Sequence, residues 1–398
     1  MTEKKLKIAI VVHGRFHAFD LARELLKQDH DVTLFTNYPK AVCSRFGIPS
    51  QKVHSFLLHG VLTRIFEVIQ KKLGWKPPES LLCAYFSAWA AKQLIRERWD
   101  VVQCWSGVGL EVFQAMKDQG ALCVCERGST HIRFQSNLLT QEQERTGAQI
   151  ECPRPWIIKR ELKEYALADM VNVPSTFSKK SFISEGFPES KLSVTLLGVD
   201  TRKFCASAED MERRSQRILS GAPLRILNVG TFSFRKGAWD MASILRRFNP
   251  KELCFRFVGP VAEEARRLAA ELGAISEFTP KLPQEKLRAQ YTWGDLFILP
   301  TIEDGYPMVL AQASAAGLPI LTTPNGAGQD LVKDGVTGWV FPARETEAFV
   351  EKLRWCTEHR KELAQMTRKI SENFVPRDWS QVASDFARIC QSYQTVRS

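Results

Sequence analysis

The sequence predicts an α/β protein made of two Rossmann-like halves, each a doubly wound parallel sheet, and three observations carry that reading. The chain has 398 residues, more than one ordinary core accommodates at roughly 100–200 residues per domain. Short apolar runs alternate with helical patterns along the chain, as βαβ units require. A polar stretch near 205–222 interrupts the series, and the alternation then starts afresh.

In the first series, LKIAIVV (6–12) is followed by a turn, a helix from about Phe19 to Lys27, and DVTLFT (31–36). VVQCW (101–105), ALCVCE (121–126) and MVNVP (170–174) supply further strands. The interruption, CASAEDMERRSQRILSGAP, is polar and ends in Gly-Ala-Pro. RILNVGTF (225–232), CFRFVG (254–259), LFILPT (296–301) and PILTT (319–323) form the second series. The expected organisation is an N-terminal domain over 1–205, a C-terminal domain over 222–375, and a helix over 376–398 packing back toward the first domain. Functional loops belong at the carboxyl ends of such strands.

A composition of 44% hydrophobic and 25% charged residues excludes disordered and fibrous classes. No apolar run approaches the ~18–20 residues of a membrane span. The apolar stretch Ile8 to Val12 is shorter than the ~7–15 residues of a signal core, so a cytoplasmic protein is expected. Ten cysteines without a CxxC read as buried, reduced thiols, with Cys123 and Cys125 on one strand face. A formal charge of +11 implies an anionic partner: a nucleotide, a phospholipid surface or a nucleic acid. Asp29-His30-Asp31 has the Asp-x-Asp form of a metal signature but sits on the wrong sheet edge, and reads as a solvated turn.

The strongest chemical signal is PTIEDGYPMVLAQASAAGLPILTT (300–323). A strand ends at Pro300, a turn holds Glu303 and Asp304, and a helix runs from about Pro307 to a stop at Gly317 and Pro319. The helix amino terminus there offers unpaired N–H groups to an anion, and Gln312 on the helix can bond a hydroxyl. In LNVGTFSFRKGAWD (227–240), a strand ends at Gly230 and a loop delivers Arg235, Lys236 and Gly237. Two adjacent cations suit a diphosphate. In TTPNGAGQDLVKDGVTGWVFP (322–342), glycines permit backbone approach to a ligand.

Together these segments resemble the carboxyl-terminal domain of retaining GT-B glycosyltransferases of the family 4 type. RKG (235–237), DGYPMVLAQASAAGLP (304–319), GAGQD (326–330) and DGVTG (334–338) follow that family's order and spacing. ALADMVNVPSTFSKKSFISEGFPESKLSVTLLGVDTRKF (166–204) is similar to the segment that closes its amino-terminal domain. The resemblance implies a GT-B fold: two Rossmann-like domains facing across a cleft. It implies a nucleotide-diphosphate sugar as donor, a UDP-sugar first, and a glycan, lipid-linked or small-molecule acceptor in polysaccharide biosynthesis. No cofactor or metal is expected, and no nucleic acid.

By the resemblance, Arg235, Lys236 and Asp304 form the catalytic group, the cations binding diphosphate and Asp304 lying near the donor sugar. Gly14, Gly230, Lys281, Leu282, Gly305, Tyr306, Pro307, Met308, Gln312 and Gly326 line the donor site, with Lys281 and Leu282 in the loop that reads the base. The family's acidic pair is Glu and Glu, whereas here it is Asp304 and Gln312; Glu303 is adjacent but out of register. The arginine of the family's Gly-Arg turn is Thr231, and Arg235 is the substitute. The family's histidine after the fourth strand is not evident, since Trp105 and Ser106 stand there. These departures keep open a catalytically weak nucleotide-sugar or glycan-binding protein; a sugar-nucleotide epimerase on the same fold is a further alternative, against which the asymmetric motifs argue.

HGRFH (13–17) and ERGSTH (126–131) end strands of the first half. They supply His13, His17, Arg127, Ser129 and His131 as acceptor-side candidates. Segment 59–99 mixes Phe66, Leu73 and Trp75 with Arg64, Lys71, Lys72 and Lys76. It is expected to rest on an anionic membrane at the inner face, against the plainer reading of core-facing helices with a basic outer side.

Overall fold

The computed structural model describes residues 5–73, 77–200, 203–373 and 377–397. Two parallel sheets organise it. The first contains β1 (Lys7–Val12), β2 (Asp31–Thr36), β3 (Val53–Ser55), β4 (Val101–Trp105), β5 (Leu122–Glu126), β6 (Met170–Val173) and β7 (Leu192–Val194). Its order is β3-β2-β1-β4-β5-β6-β7. The second contains β8 (Leu224–Val229), β9 (Leu253–Val258), β10 (Ser276–Thr279), β11 (Leu296–Leu299), β12 (Ile320–Thr322) and β13 (Gly338–Val340), in the order β10-β9-β8-β11-β12-β13. Both orders reverse between the first and fourth strands, so each sheet has a crevice at the carboxyl ends of two neighbours. These are β1 and β4 in one half, β8 and β11 in the other.

Burial explains the strand sequences. Residues Ile8 to Val12 of β1 and all of β4, β5, β6 and β11 are buried. Helices cover both faces of a parallel sheet, so its strands read as continuous apolar runs. In β4, β5 and β6 the polar residues Gln103, Glu126 and Asn172 break that rule. The short strands β3, β7 and β13 went unread in the sequence: three residues give too little periodicity, and β12, equally short, is read only from the run PILTT around it.

The last helix, Trp379–Arg397, returns to the first half. It buries Val382, Phe386 and Cys390 in that core, and Tyr393 Oη donates to Asp169 O at 2.7 Å. In the other direction, helix Ile132–Thr146 of the first half buries Leu139 in the second core. Arg145 makes a two-pronged bond to Asp240, both contacts 2.8 Å. His30 is buried, not solvated, and its Nδ1 accepts from Leu6 N at 3.1 Å. The turn at 29–31 is therefore a structural tie between helix and strand. Cys205 and Cys254 are exposed, against the expectation of buried thiols; the other eight cysteines are buried or half-buried.

The polar interruption folds into helix Ala208–Leu219, opened by a capping box of Ser207 and Asp210. Its Arg214 is fully buried and serves two helix ends. It donates to the carbonyls of Ala316 (2.7 Å) and Gly317 (3.1 Å), and to those of Tyr291 (3.0 Å) and Gly294 (2.8 Å). Burial lowers its pKa to about 10, still well above neutral, and a cation there complements both helix dipoles. Arg214→Met is expected to remove the donor from the carbonyls of Tyr291, Ala316 and Gly317 and leave Gly294 O only a 3.5 Å contact with Arg217, at a cost of about 3 kcal/mol or more in urea denaturation. Arg214→Lys should recover only part, because one ammonium cannot span the fork.

Candidate active site

The second half places its charged residues at the switch point. After β8 the chain turns through Phe234–Lys236 into helix Ala238–Leu245. The turn needs Gly237: its φ is +81°, and a Cβ there would lie 1.9 Å from Pro300 O. That contact seats the turn on the end of β11. Ile302 N donates to Arg235 O at 3.0 Å. The carboxylates of the loop after β11 then meet the cations: Arg235 Nε donates to Glu303 Oε2 at 2.7 Å, and Lys236 Nζ donates to Asp304 Oδ2. Burial lowers the Lys236 pKa, only partly offset by Asp304.

Glu303, adjacent to the expected site position, is the centre of the junction. Its side chain is fully buried. From the first half, Ser129 Oγ (2.6 Å) and Thr130 Oγ1 (2.8 Å) donate to one oxygen, and Gln135 Nε2 (3.0 Å) to the other. Burial alone would push this carboxyl up; Arg235 and the two hydroxyls overcome it and hold the pKa down at about 2. The backbones also touch. A Cβ on Gly305 would lie 2.1 Å from Gly128 O, so only glycine fits there. Asp330 adds a further tie, accepting from Thr176 N at 3.0 Å and Thr176 Oγ1 at 2.5 Å.

A cavity of about 860 Å³ opens on the helix that follows the loop after β11; Arg235, Lys236, Glu303 and Asp304 are not among the residues that line it. The second half lines it with Gln284, Met308 and Gln312, and the first half with Arg15, Phe16 and His17. Trp379 of the returning helix closes one side. Met308 starts helix Met308–Ala315 and Pro307 caps it. Gln312 Oε1 already accepts from Tyr291 Oη at 2.7 Å. Tyr306 is buried against Leu197 and Ala327. Gly326 packs by the Pro307 ring, where a Cβ would sit 3.1 Å away. Gly230 ends β8. Lys281 is exposed and Leu282 turns onto the core, leaving Gln284 as the residue of that loop region that lines the cavity.

In the first half, Gly14 N donates to Asn37 Oδ1 at 3.0 Å. His17 Nε2 lies 3.2 Å from Glu126 Oε1, and its ring lies between those of Trp105 and Trp379. Arg127 is buried beneath the junction, donating to Gln135 Oε1 at 2.8 Å and pairing with Glu161. Two histidines do not open on the cavity. His13 packs on His59 and Phe86, and burial lowers its pKa to about 4. His131 is buried against Tyr165 and Phe182, because its position begins helix Ile132–Thr146 and the ring turns into the core. Sequence reading missed Glu126, Gln135 and Trp379. For Glu126 a signal existed: a carboxylate closing an apolar strand must find partners.

Residues 15–203 match the family described as Glycosyltransferase Family 4, and residues 223–359 match Glycosyl transferases group 1. The sulfoquinovosyl transferase of Arabidopsis thaliana is 26% identical over 230 residues, 56% of this chain and 44% of that one. The amylovoran biosynthesis glycosyltransferase AmsK of Erwinia amylovora is 27% identical over 216 residues, 50% and 51% of the two chains. This chain thus spans about half the length of the curated relatives it matches. Among solved structures, HepE of Anabaena, solved with UDP, superposes with a TM-score of 0.69 at 15% identity, covering 97% of this chain and 100% of its own. Sucrose-phosphate synthase of Thermosynechococcus elongatus gives 0.70 at 16% identity, covering 98% and 100%. The chain belongs to the family 4, group 1 glycosyltransferases and has their GT-B fold.

A carboxyl held near 2 rather than its ordinary 4.5 contributes roughly 3 kcal/mol at neutral pH. Because the folded pKa is depressed, that contribution is present above about pH 5 and lost as pH falls toward 2. The stability gap between wild type and Glu303→Gln, measured by urea denaturation, should therefore narrow steadily over that window. A gap that stays constant from pH 7 to pH 3 would contradict the assignment.

Proposed function

We propose that this protein transfers a sugar from a nucleotide-diphosphate sugar to a glycan or lipid-linked acceptor, with retention of configuration and without an obligatory metal. The observation that carries it is the pair of cations on the β8 turn, bonded at the switch point to Glu303 and Asp304 of the loop that leads into helix Met308–Ala315. Fixed cations and helix N–H groups stabilise charge that develops on a departing diphosphate. Gln312, on the helix beside the cavity, is the ribose contact. HepE, of the same fold, was solved with UDP-glucose as well as UDP, which supports UDP-sugars as the first donors to test. A mannosyltransferase relative from Mycolicibacterium smegmatis is named as GDP-mannose-dependent, which keeps GDP-sugars beside them. A second reading, a weakly active nucleotide-sugar binder, draws on the neutral Gln312 and its Oε1 already engaged by Tyr291.

Thermal shifts with UDP, GDP, ADP and dTDP sugars identify the donor, since binding to the folded state raises stability. Turnover of that donor is expected, with Lys236→Ala reducing the rate by about 10²–10³. Inverted product by NMR, or loss of activity in EDTA, would refute the mechanism; binding without turnover would favour the second reading.

The acceptor side points to a membrane surface. Helix Leu57–Leu73 exposes Leu57, Leu58, Val61, Ile65 and Val68, which at about 100° per residue share one face. Arg64 and Lys72 flank them and are exposed. Leu81 and Tyr85, one turn apart on the next helix, are exposed too. Trp75 and Lys76, expected in this surface, lie outside the described residues. No helix among the described residues is long and apolar enough to cross a bilayer, so the contact proposed is peripheral, at the cytoplasmic face. Apolar burial and basic attraction add in such binding. Co-sedimentation with phosphatidylglycerol vesicles should exceed that with phosphatidylcholine and weaken with salt. A Val61→Glu, Ile65→Glu double variant should lose about tenfold in vesicle affinity with unchanged thermal stability.

A further inference from the structure

A ladder of buried polar side chains runs across four adjacent strands of the first sheet and ends at the cavity. Ser193 Oγ (2.8 Å) and Thr195 Oγ1 (2.9 Å) donate to Asn172 Oδ1. Asn172 Nδ2 donates to Glu126 Oε2 at 2.8 Å, and because a carboxylate only accepts, this contact fixes which way the amide points. Gln103 Nε2 donates to the same oxygen at 2.7 Å. Glu126 is buried at the end of β5, and its other oxygen faces His17 Nε2 at 3.2 Å. With Oε2 already accepting twice, Oε1 is the oxygen left to accept from Nε2; an imidazole carrying its one proton there presents its lone pair at Nδ1. His17 precedes helix Ala18–Lys27 but makes no side-chain cap bond to it. The ring stacks on Trp379 at 5.9 Å and leans on Trp105 at 5.0 Å. Its side chain is 16% exposed and lines the 860 Å³ cavity opposite Met308 and Gln312.

We propose that Glu126 is a positioning residue that fixes the His17 imidazole as an Nδ1 hydrogen-bond acceptor for a sugar hydroxyl in the cavity. The inference rests on the reading of that cavity as a nucleotide-sugar site. The hydroxyl belongs either to the donor hexose or to a sugar of the acceptor.

Two measurements test it. Long-range ¹H–¹⁵N spectra should show His17 protonated at Nε2 in the wild type. In Glu126→Gln, the amide oxygen stays with Gln103 and Asn172, the amide N–H₂ faces His17, and the ring should switch to the Nδ1–H form. A wild-type ring already protonated at Nδ1 overturns the role of Glu126. The second measurement is calorimetry on His17→Phe, which keeps an aromatic ring between the tryptophans. It compares the nucleotide sugar that most stabilises the wild type with its own nucleoside diphosphate. Loss of one hydrogen bond should weaken the sugar nucleotide about fivefold to tenfold and leave the diphosphate unchanged, placing the hydroxyl on the donor. If both are unchanged while methyl α-glucoside binds the diphosphate-saturated variant correspondingly more weakly, the hydroxyl is the acceptor's. Unchanged binding in all three overturns the sugar contact. If no nucleotide binds the wild type, the reading of the cavity fails and the sugar contact with it, whereas the tautomer result stands apart.

Discussion

A carboxylate taken out of water must be met by donors, and Glu303 is taken fully out of water between the two halves. The residues around it follow from that demand. Arg235 supplies the charge from one side, and Ser129, Thr130 and Gln135 supply hydrogen bonds from the other. Gln135 is held in turn by Arg127, and Arg127 by Glu161. Removing one partner of such a group leaves the rest uncompensated, which is why buried charge networks are costly to break. The close approach of Gly305 to Gly128 is the steric counterpart of the same junction. The two sheets do not merely face each other; a charge that neither half satisfies alone sets their spacing.

The switch points decide what that junction can do. Because β8 and β11 are neighbours whose crossovers leave in opposite directions, their following loops splay apart and leave a crevice. The same holds for β1 and β4. The Arg235–Lys236 turn and the Glu303–Asp304 loop share one crevice; the His17 loop and Trp105 share the other. The polar residues inside the otherwise apolar strands β4, β5 and β6, Gln103, Glu126 and Asn172, are satisfied because their side chains bond one another in a chain that ends at His17.

Much of this was legible in the sequence. The apolar runs at 31–36 and 101–105 match β2 and β4, and the RKG and EDG segments fall on the two loops that meet. What was hidden has two causes. Three-residue strands carry no measurable period. Side-chain direction is set by tertiary packing: His131 and His17 look alike in the sequence, but one ring turns into the core and the other toward the cleft. Glu303 was set aside because family register favoured its neighbour, and register does not reveal that a carboxylate one position away is satisfied from a distant segment.

The two cations of the β8 turn are therefore not equivalent for an anionic ligand. Arg235 is committed: releasing it would strand the fully buried Glu303 carboxylate. Lys236 is bonded to Asp304, whose side chain is 16% exposed, so Asp304 can turn to water at small cost when a diphosphate takes its place. Exchanging one anionic partner for another keeps the half-buried ammonium paired throughout, avoiding the penalty of an isolated charge. In the proposed reaction Lys236 is thus the cation that follows the diphosphate, and Arg235 the one that keeps the halves together while it does.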